Sequence, residues 1–249
     1  MVQPSLKEPA ARRDRGAAAE NGWPHPRWLA PAGLFALTLL AYANSLGLGL
    51  AGDSQFLLTQ DPRLQSLTAQ NLWLILSKSY WWPVAGDLIY RPVTTASLLL
   101  NHALAGAAGG GAFWYHLVNL LLHACNVWLL WKLASRLLSR HAAWWAAALW
   151  AVHPIATEAV DNVVGRADLL AAMAVLAGLL IYGRATAESG TARWVALFAV
   201  AAAGVFSKEN AVVLIGLMLL SDLVFGTPGG IRGRRRLAAY LAAAGSIVA

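Results

Sequence analysis

Acidic and basic side chains at the edges of long apolar runs suggest acid–base and phosphate chemistry at a membrane surface. Asp53 follows the first apolar run by three residues, where the end of a rigid helix would hold a carboxylate as a general base. A guanidinium group binds phosphate through two parallel hydrogen bonds, and an ammonium group binds it as a point charge. The candidates for such binding are Arg91, Arg166 and Lys208. The alternative interpretations are an acid that marks the end of a span and cations that contact lipid headgroups.

A second polar segment, residues 153–168, lies between two apolar runs. Its titratable side chains are His153, Glu158, Asp161, Arg166 and Asp168. Pro154 is expected to end the preceding helix or to begin a new one. On one continuous helix the three acids would share a face, although Gly165 interrupts that pattern. We interpret the segment as one wall of a site at the membrane surface; a polar cap that ends two helices is the alternative.

A polar stripe runs along one apolar segment, residues 113–131. Its members follow one another at spacings of about one helical turn and are His116, Asn119, His123 and Asn126. Polar groups are costly in hydrocarbon, so this stripe must face protein or water. We interpret His123 and Asn126 as hydrogen-bonding groups between helices. His116 is near the end of the segment and could reach a site there.

The composition indicates that membrane helices carry these residues. Of the 249 residues, 58% are hydrophobic and 12% are charged, whereas a soluble domain has about 25% charged residues. A soluble domain and a disordered chain are therefore excluded, and a single cysteine, Cys125, excludes an internal disulfide. The net charge of +7 does not indicate binding to nucleic acid, because the Lys and Arg residues are spread between apolar runs. The predicted fold class is all-α integral membrane.

A helix needs about 20 mostly apolar residues to cross a membrane. The apolar runs are residues 28–50, 113–131, 142–152 (extending toward Val160), 169–182 (with Val163 and Val164 as an extension), 194–206 and 211–220. Another run, residues 237–249, continues to the last residue of the sequence. We therefore predict a polytopic helical bundle of about six full spans plus a truncated seventh.

The basic residues predict how the chain is oriented and divided. With the amino terminus in the cytoplasm, most of the 19 Lys and Arg residues lie on the cytoplasmic side. Residues 1–27 then form a disordered cytoplasmic tail, and residues 28–249 form the transmembrane domain. Two extracytoplasmic loops are predicted, residues 51–112 and residues 153–168. The first loop contains Tyr80-Trp81-Trp82-Pro83 and two amphipathic segments that suit a membrane interface.

Several short motifs, in their order and spacing, resemble the membrane part of the TMTC-type (transmembrane and tetratricopeptide repeat) proteins. The resemblance covers roughly residues 30–225. The motifs are Tyr90-Arg91-Pro92-Val93-Thr94-Thr95, Asn101-His102, the segment from His116 to His123, the segment from Ala151 to Val160, Val164-Gly165-Arg166-Ala167-Asp168, and Ser207-Lys208-Glu209. The resemblance implies a bacterial relative of that family with a GT-C glycosyltransferase fold, similar to the protein O-mannosyltransferases. It also implies tetratricopeptide repeats beyond residue 249.

The resemblance implies transfer of a mannose-like sugar from a polyprenyl-phosphate donor to an acceptor hydroxyl, such as a protein Ser or Thr. The transfer would take place at the extracytoplasmic face of the bacterial cytoplasmic membrane. Asp53 would be the base, and the first loop of the family usually opens with two acids, whereas Ser54 stands at the second position here. The residues implied in binding the donor phosphate or the sugar are Arg91, Arg166, Lys208, Glu158, His153 and His102.

Two other functions stay open at the level of the sequence. One is a non-catalytic membrane anchor or scaffold for a repeat domain, which the serine at position 54 favours. The other is a transporter of lipid-linked sugars, which would need polar groups at mid-membrane depth such as His123 and Asn126. The expected partners are membrane lipids, the polyprenyl-phosphate sugar and an acceptor protein, without nucleic acid. No metal site is indicated, since Asp53 alone offers too few ligands for a divalent ion.

Overall fold

The computed structural model describes residues 28–85, 88–106, 111–184, 190–226 and 240–241. Within these ranges every regular element is a helix, which confirms the predicted all-α class. The predicted amino-terminal tail lies outside the described residues. The predicted last run, residues 237–249, also lies outside them except for residues 240–241.

The described residues form ten α-helices joined by short connections. They are α1 (Leu29–Tyr42), α2 (Gly52–Gln60), α3 (Ala69–Ser77), α4 (Pro92–Gly106), α5 (Gly111–Ala134), α6 (Arg140–Ala151), α7 (Thr157–Asp161), α8 (Arg166–Tyr182), α9 (Thr191–Val205) and α10 (Val213–Phe225). Single turns of 3₁₀-helix occupy Ala43–Gly47, Pro62–Leu64, Pro154–Ala156, Val163–Gly165 and Glu209–Val212. Local chemistry sets several of these starts, since the side chains of Thr68 and Ser139 accept hydrogen bonds from the first turns of α3 and α6.

Among the described residues, three helical segments are long and apolar enough to cross a membrane. They are Leu29–Gly47, Gly111–Ala134 and Val163–Tyr182. The predicted count of about six full spans is not confirmed, because α6, α9 and α10 have only 12, 15 and 13 residues. At 1.5 Å per residue, helices of this length extend about 18–22 Å, which is short of a hydrocarbon core of about 30 Å. The chain is nevertheless a membrane protein.

The long helices run alternately between two ends of the bundle. At one end Trp144 donates a hydrogen bond to the carbonyl of Ala30, and Arg136 donates to that of Leu180. The other end collects residues 43–54, residues 153–166 and residues 206–212, and we call it the loop end. The side chains predicted to carry chemistry therefore meet at one end, because each of these segments connects two helices there.

The third apolar run does not continue as one helix toward Val160. Helix α6 ends at Ala151, and Pro154 begins a separate 3₁₀ turn as a residue without a backbone N–H can. The acids 158, 161 and 168 consequently do not share one continuous helix, since α7 ends at Asp161 and α8 begins at Arg166. Gly165 lies between them, and a Cβ there would come within 2.7 Å of the backbone of Ala159.

Close helix contacts depend on small residues and on the polar stripe of α5. A Cβ on Gly204 would meet Ala174 at 2.7 Å, so α8 and α9 can approach only because this residue is glycine. The stripe is buried as predicted, with the side chains of His116, Asn119, His123 and Asn126 each at most 1% exposed. His123 contacts the carbonyl of Ala151 at 3.2 Å, and Asn126 donates to that of Leu169 at 2.8 Å. The predicted role of these two residues between helices is confirmed.

The first loop folds into helices that pack on the loop end. Its apolar core includes Leu57, Leu64, Ile75 and Leu98. The opposite face of α3 exposes apolar side chains, among them Trp73 at 68%. An exposed aromatic and aliphatic face of this kind suits the predicted position at a membrane interface.

Candidate functional site

Asp53 lies in the first turn of α2, where its side chain is exposed at the loop end. Gly52 before it adopts a φ of +52°, a left-handed conformation that glycine takes without strain. This turn starts α2 directly after the extended residues that follow the first span. Asp53 therefore lies on a short helix of its own, a few residues after the first apolar helical segment ends at Gly47.

Ser54 fixes α2 to the second polar segment. Its hydroxyl donates a short hydrogen bond to Oδ1 of Asn162 and accepts one from the N–H of Val164 at 3.1 Å. The Nδ2 group of Asn162 in turn donates to Oε1 of Glu158 at 2.8 Å. Ser54 is 1% exposed. Ser54 is therefore a buried link between α2, which carries Asp53, and the second polar segment.

Arg91 precedes α4 and pairs with an acid from the turn after α9. Its guanidinium donates two hydrogen bonds to the carboxylate of Glu209, at 3.1 and 2.7 Å, and lies 5.3 Å from the centre of the Tyr80 ring. The hydrogen bonds from Arg91 hold the pKa of Glu209 below its usual value. Thr94 supports the same contact, since its hydroxyl donates to the carbonyl of Ser207 at 2.8 Å.

Lys208 lies beside Glu209 in the same turn and pairs with Asp168 on α8. Its Nζ is 2.6 and 2.8 Å from the two carboxylate oxygens. The lysine side chain is 24% exposed and the aspartate 42%. Two cation–carboxylate pairs therefore stand next to each other at the loop end, both partly accessible.

Arg166 occupies a different environment, because it is buried among neutral acceptors. Its guanidinium donates to Oδ1 of Asn119 at 2.9 Å and to Oδ1 of Asn101 at 2.7 Å. It also donates to the carbonyls of Ser97 at 3.2 Å and Tyr115 at 3.0 Å. The side chain is fully buried, and no carboxylate of the described residues pairs with it. Arg166 thus joins α4, α5 and α8 at the position where it was predicted to bind phosphate.

Tyr80 lies beside the guanidinium of Arg91. Burial raises the pKa of the Tyr80 phenol. The guanidinium of Arg91 lies 5.3 Å from the centre of the Tyr80 ring, and its positive charge opposes this rise in pKa. The Tyr80 hydroxyl is buried and has no hydrogen-bond partner among the described residues. Ser54, next to Asp53, accepts a hydrogen bond from the N–H of Val164, two residues before Arg166, and Arg91 pairs with Glu209. The structure therefore brings Asp53 and both predicted arginines to the loop end.

The two histidines predicted to bind the donor, His153 and His102, lie away from the cation–carboxylate pairs or cap a turn. The Nδ1 atom of His153 accepts a hydrogen bond from the N–H of Ile155 at 3.1 Å, which caps the 3₁₀ turn. His102 is half-buried on α4. It lies about 15 Å along the helix from Pro92, so it is remote from the pairs around Arg91. Glu158 is exposed at the loop end, where it belongs to the Ser54 network.

An important buried ion pair was not among the predicted site residues. Arg63 and Asp61 form it at 2.7 Å, both at most 1% exposed. Arg63 also donates to the carbonyls of Ser79, Tyr80 and Trp82, which fixes the segment that carries Tyr80. The only sequence pattern that could have indicated this ion pair is Asp61-Pro62-Arg63, and three residues are too few to predict that the pair is buried. The partner Glu209 was equally hidden, since 118 residues separate it from Arg91.

Two cavities open near these groups. The first, which we call the α2 cavity, has a volume of about 580 Å³. Residues 48–52, Ser54, His116, Thr157, Glu158 and residues 161–163 line it. The second, which we call the α8 groove, has a volume of about 540 Å³. Its walls are mostly apolar, with the largest group of apolar side chains on α8, while α5 contributes the polar side chains of His123 and Asn126. Asp168 and Asn210 line its loop end. No group of three potential metal ligands occurs among the described residues.

Comparisons with known proteins relate this arrangement to sugar transfer. Residues 92–249 match the family described as dolichyl-phosphate-mannose-protein mannosyltransferase. The chain is 36% identical over 211 residues to protein O-mannosyl-transferase Tmtc2 of Drosophila melanogaster, covering 80% of this chain and 22% of that protein. It is 30% identical to mouse TMTC1 over 85% of the chain, and 31% identical to human TMTC3 over 73%.

These relatives are much longer than the chain. The match covers 24% of mouse TMTC1 and 20% of human TMTC3, so the chain spans about a fifth of the length of the curated relatives. No solved structure matches the chain. The likeness is therefore one of sequence, and the family match includes the segments that carry Arg166 and Lys208.

Proposed function

Because the chain belongs to the dolichyl-phosphate-mannose-protein mannosyltransferase family and resembles its TMTC members, we propose that it is the catalytic membrane part of a GT-C glycosyltransferase. The enzyme transfers a mannose-like sugar from a polyprenyl-phosphate donor to a hydroxyl group, with a protein Ser or Thr as the acceptor. The observation that carries this proposal is the contact network of the loop end, where Ser54, next to Asp53, accepts a hydrogen bond from Val164, two residues before Arg166. At the same end Arg91 pairs with Glu209, and the adjacent Lys208 pairs with Asp168. Family membership alone would not say which residues act.

The proposed reaction is a single inverting displacement. The carboxylate of Asp53 takes the proton of the acceptor hydroxyl while the oxygen forms a bond to the anomeric carbon. The bond between that carbon and the phosphate oxygen breaks, and the lipid phosphate leaves with the electron pair. A phosphate needs little protonation to leave, so a second carboxylic acid is not required, in contrast to glycoside hydrolases. This chemistry is compatible with Ser54 at the second loop position.

In this proposal the phosphate of the donor binds next to Arg91 and Lys208. Arg91 and Lys208 are partly accessible, and their charges would offset the charge that grows on the leaving phosphate. The α8 groove begins at Asp168, the partner of Lys208, and its apolar walls suit a polyprenyl chain. Arg166 has four hydrogen bonds to neutral acceptors, so in this proposal it supports the phosphate site by fixing α4, α5 and α8.

The loop end is proposed to face the extracytoplasmic side of a bacterial cytoplasmic membrane, with the amino terminus in the cytoplasm. The distribution of basic residues supports this orientation. Fusions of a periplasm-dependent reporter after Lys78 and after Arg140 test it. We expect activity from the first fusion and none from the second, and the reverse result would invert the orientation.

A non-catalytic anchor is the second candidate, because Ser54 replaces the second acid of the family pattern. The two functions are separated by sugar transfer from labelled polyprenyl-phosphate mannose in membranes that contain the full-length protein. Asp53→Asn should lower turnover by about 10²- to 10³-fold and leave donor binding largely intact. Gln55→Ala, an exposed change on the same helix, is the control. Normal transfer by Asp53→Asn would remove the proposed base, and no transfer by the wild type would favour the anchor.

A further inference from the structure

The α2 cavity contains buried polar groups that lack partners. His116 on α5 is 1% exposed, and neither ring nitrogen has a hydrogen-bond partner among the described residues. The backbone of Leu48 and Gly49 lies near the ring without forming a hydrogen bond of normal geometry. Oδ1 of Asp161 is also buried and unpartnered. Buried polar groups are nearly always hydrogen-bonded, so this cavity has the character of a site for a polar ligand.

The charges of the cavity select the kind of ligand. Glu158 and Asp161 line it, and no lysine or arginine is among the described residues that do so. Burial raises the pKa of Asp161, and His116 lies near enough to lower it. A phosphate would be repelled by two carboxylates, whereas a hydroxyl, a peptide N–H or a cationic side chain would be attracted. The cavity is therefore complementary to an acceptor and unsuited to the donor phosphate.

The position of the cavity relates it to the proposed base. Gly52 and Ser54, the residues on either side of Asp53, both line it. A volume of about 580 Å³ lies within the usual range of ligand sites and accommodates a short peptide segment. A segment seated there would bring its hydroxyl to the start of α2, while Arg91 and Lys208 remain on the side of the donor.

We propose that the α2 cavity is the acceptor site and that it selects hydroxyl-bearing peptides with a basic residue beside the Ser or Thr. Asp161 and Glu158 determine this specificity by pairing with the basic side chain, and His116 hydrogen-bonds the peptide. The assignment of the peptide hydroxyl as the sugar acceptor rests on the proposed transferase function. The binding of a basic peptide in the cavity does not depend on that function. It assigns to the cavity a ligand class that differs in charge from the donor.

The test uses full-length protein in lipid nanodiscs and two fluorescent peptides that differ only in Lys or Glu beside the serine. Equilibrium binding is measured without donor, and transfer is measured with polyprenyl-phosphate mannose. We expect the Lys peptide to bind about fivefold to tenfold more tightly than the Glu peptide. Asp161→Asn and Glu158→Gln should each reduce this preference and raise the KM for the peptide, with the KM for the donor unchanged. Glu20→Gln, which removes the same charge in the amino-terminal tail, is the control.

The outcomes separate the two proposals. If the protein prefers the Lys peptide and Asp161→Asn loses this preference, the acceptor-site proposal is supported whether or not sugar is transferred. Sugar transfer by the wild type separately tests the transferase function. Transfer without any peptide preference overturns the inference and leaves the transferase intact. A preference that survives both substitutions, or no peptide binding at all, also overturns the inference. Glu158→Gln keeps an oxygen for Asn162, so this variant stays informative even if Asp161→Asn fails to fold.

Discussion

The buried guanidinium of Arg166 gives the sharpest prediction, for the variant Arg166→Lys. In the wild type its nitrogens donate four hydrogen bonds, at 2.7 to 3.2 Å, to groups on α4 and α5. A lysine ammonium is a compact donor without the planar fork, so it reaches about two of the four acceptors. Each buried acceptor left unpaired costs about 1–3 kcal/mol. The substitution should therefore lower the free energy of unfolding by about 2–6 kcal/mol.

The assay is thermal unfolding of the full-length protein in detergent, with binding of polyprenyl phosphate measured in parallel. Arg140→Lys is the matched control, because Arg140 also begins a helix but is exposed. We expect a clearly lower Tm for Arg166→Lys and an unchanged Tm for Arg140→Lys. If Arg166→Lys melted with the wild type but lost affinity for polyprenyl phosphate, the guanidinium would contact the donor directly, and its role between the helices would be refuted.

Three further predictions concern the loop end. Ser54→Ala should reduce turnover by about tenfold or more at unchanged donor KM, because α2 loses its link to the second polar segment. Equal kcat values for the wild type and Ser54→Ala would contradict this. Gly165→Ala should destabilise the protein by about 1–3 kcal/mol, because the added Cβ would meet backbone atoms at 2.7 Å. The control Gly216→Ala has open space around the added Cβ and should be neutral or stabilising in the same melting assay. The stabilisation by Glu209 should be complete above its unfolded pKa of 4.5 and be lost as the pH falls through its lowered folded pKa. A Tm difference between wild type and Glu209→Gln that does not shrink as the pH is lowered from neutral into the acid range would refute this.

Local sequence patterns predicted several features that the structure confirms. The spacing of His116, Asn119, His123 and Asn126 placed all four on one face of a helix, and all four are buried. The amphipathic segments of the first loop became α3 and α4. These predictions depend on the helical period and on hydropathy, which are properties of neighbouring residues. The span count was not confirmed, because an apolar run does not say how long its helix is. Pro154 and Gly165 lie where helices end that hydropathy alone would extend.

The predicted site residues show where local patterns are insufficient. The sequence showed that they lie at the edges of apolar runs, but it did not show their partners. Arg91 and Glu209 are 118 positions apart in the chain, and Ser54 and Asn162 are 108 apart. The sequence suggested the same phosphate-binding chemistry for Arg91, Arg166 and Lys208. The structure separates them, with Arg166 buried among neutral oxygens and the other two paired with accessible carboxylates.

The sequence by itself determined the membrane class, the polar stripe, the family and the set of charged residues at the edges of apolar runs. These follow from composition, period and motif order, which are local or additive properties. Only the tertiary structure decided that α2 is linked to the second polar segment through Ser54, that His116 and Asp161 face a common cavity, and that Arg166 joins three helices. The physical reason is that hydrogen bonds and ion pairs act over about 3 Å, so their partners are set by how distant helices pack and not by the order of residues along the chain.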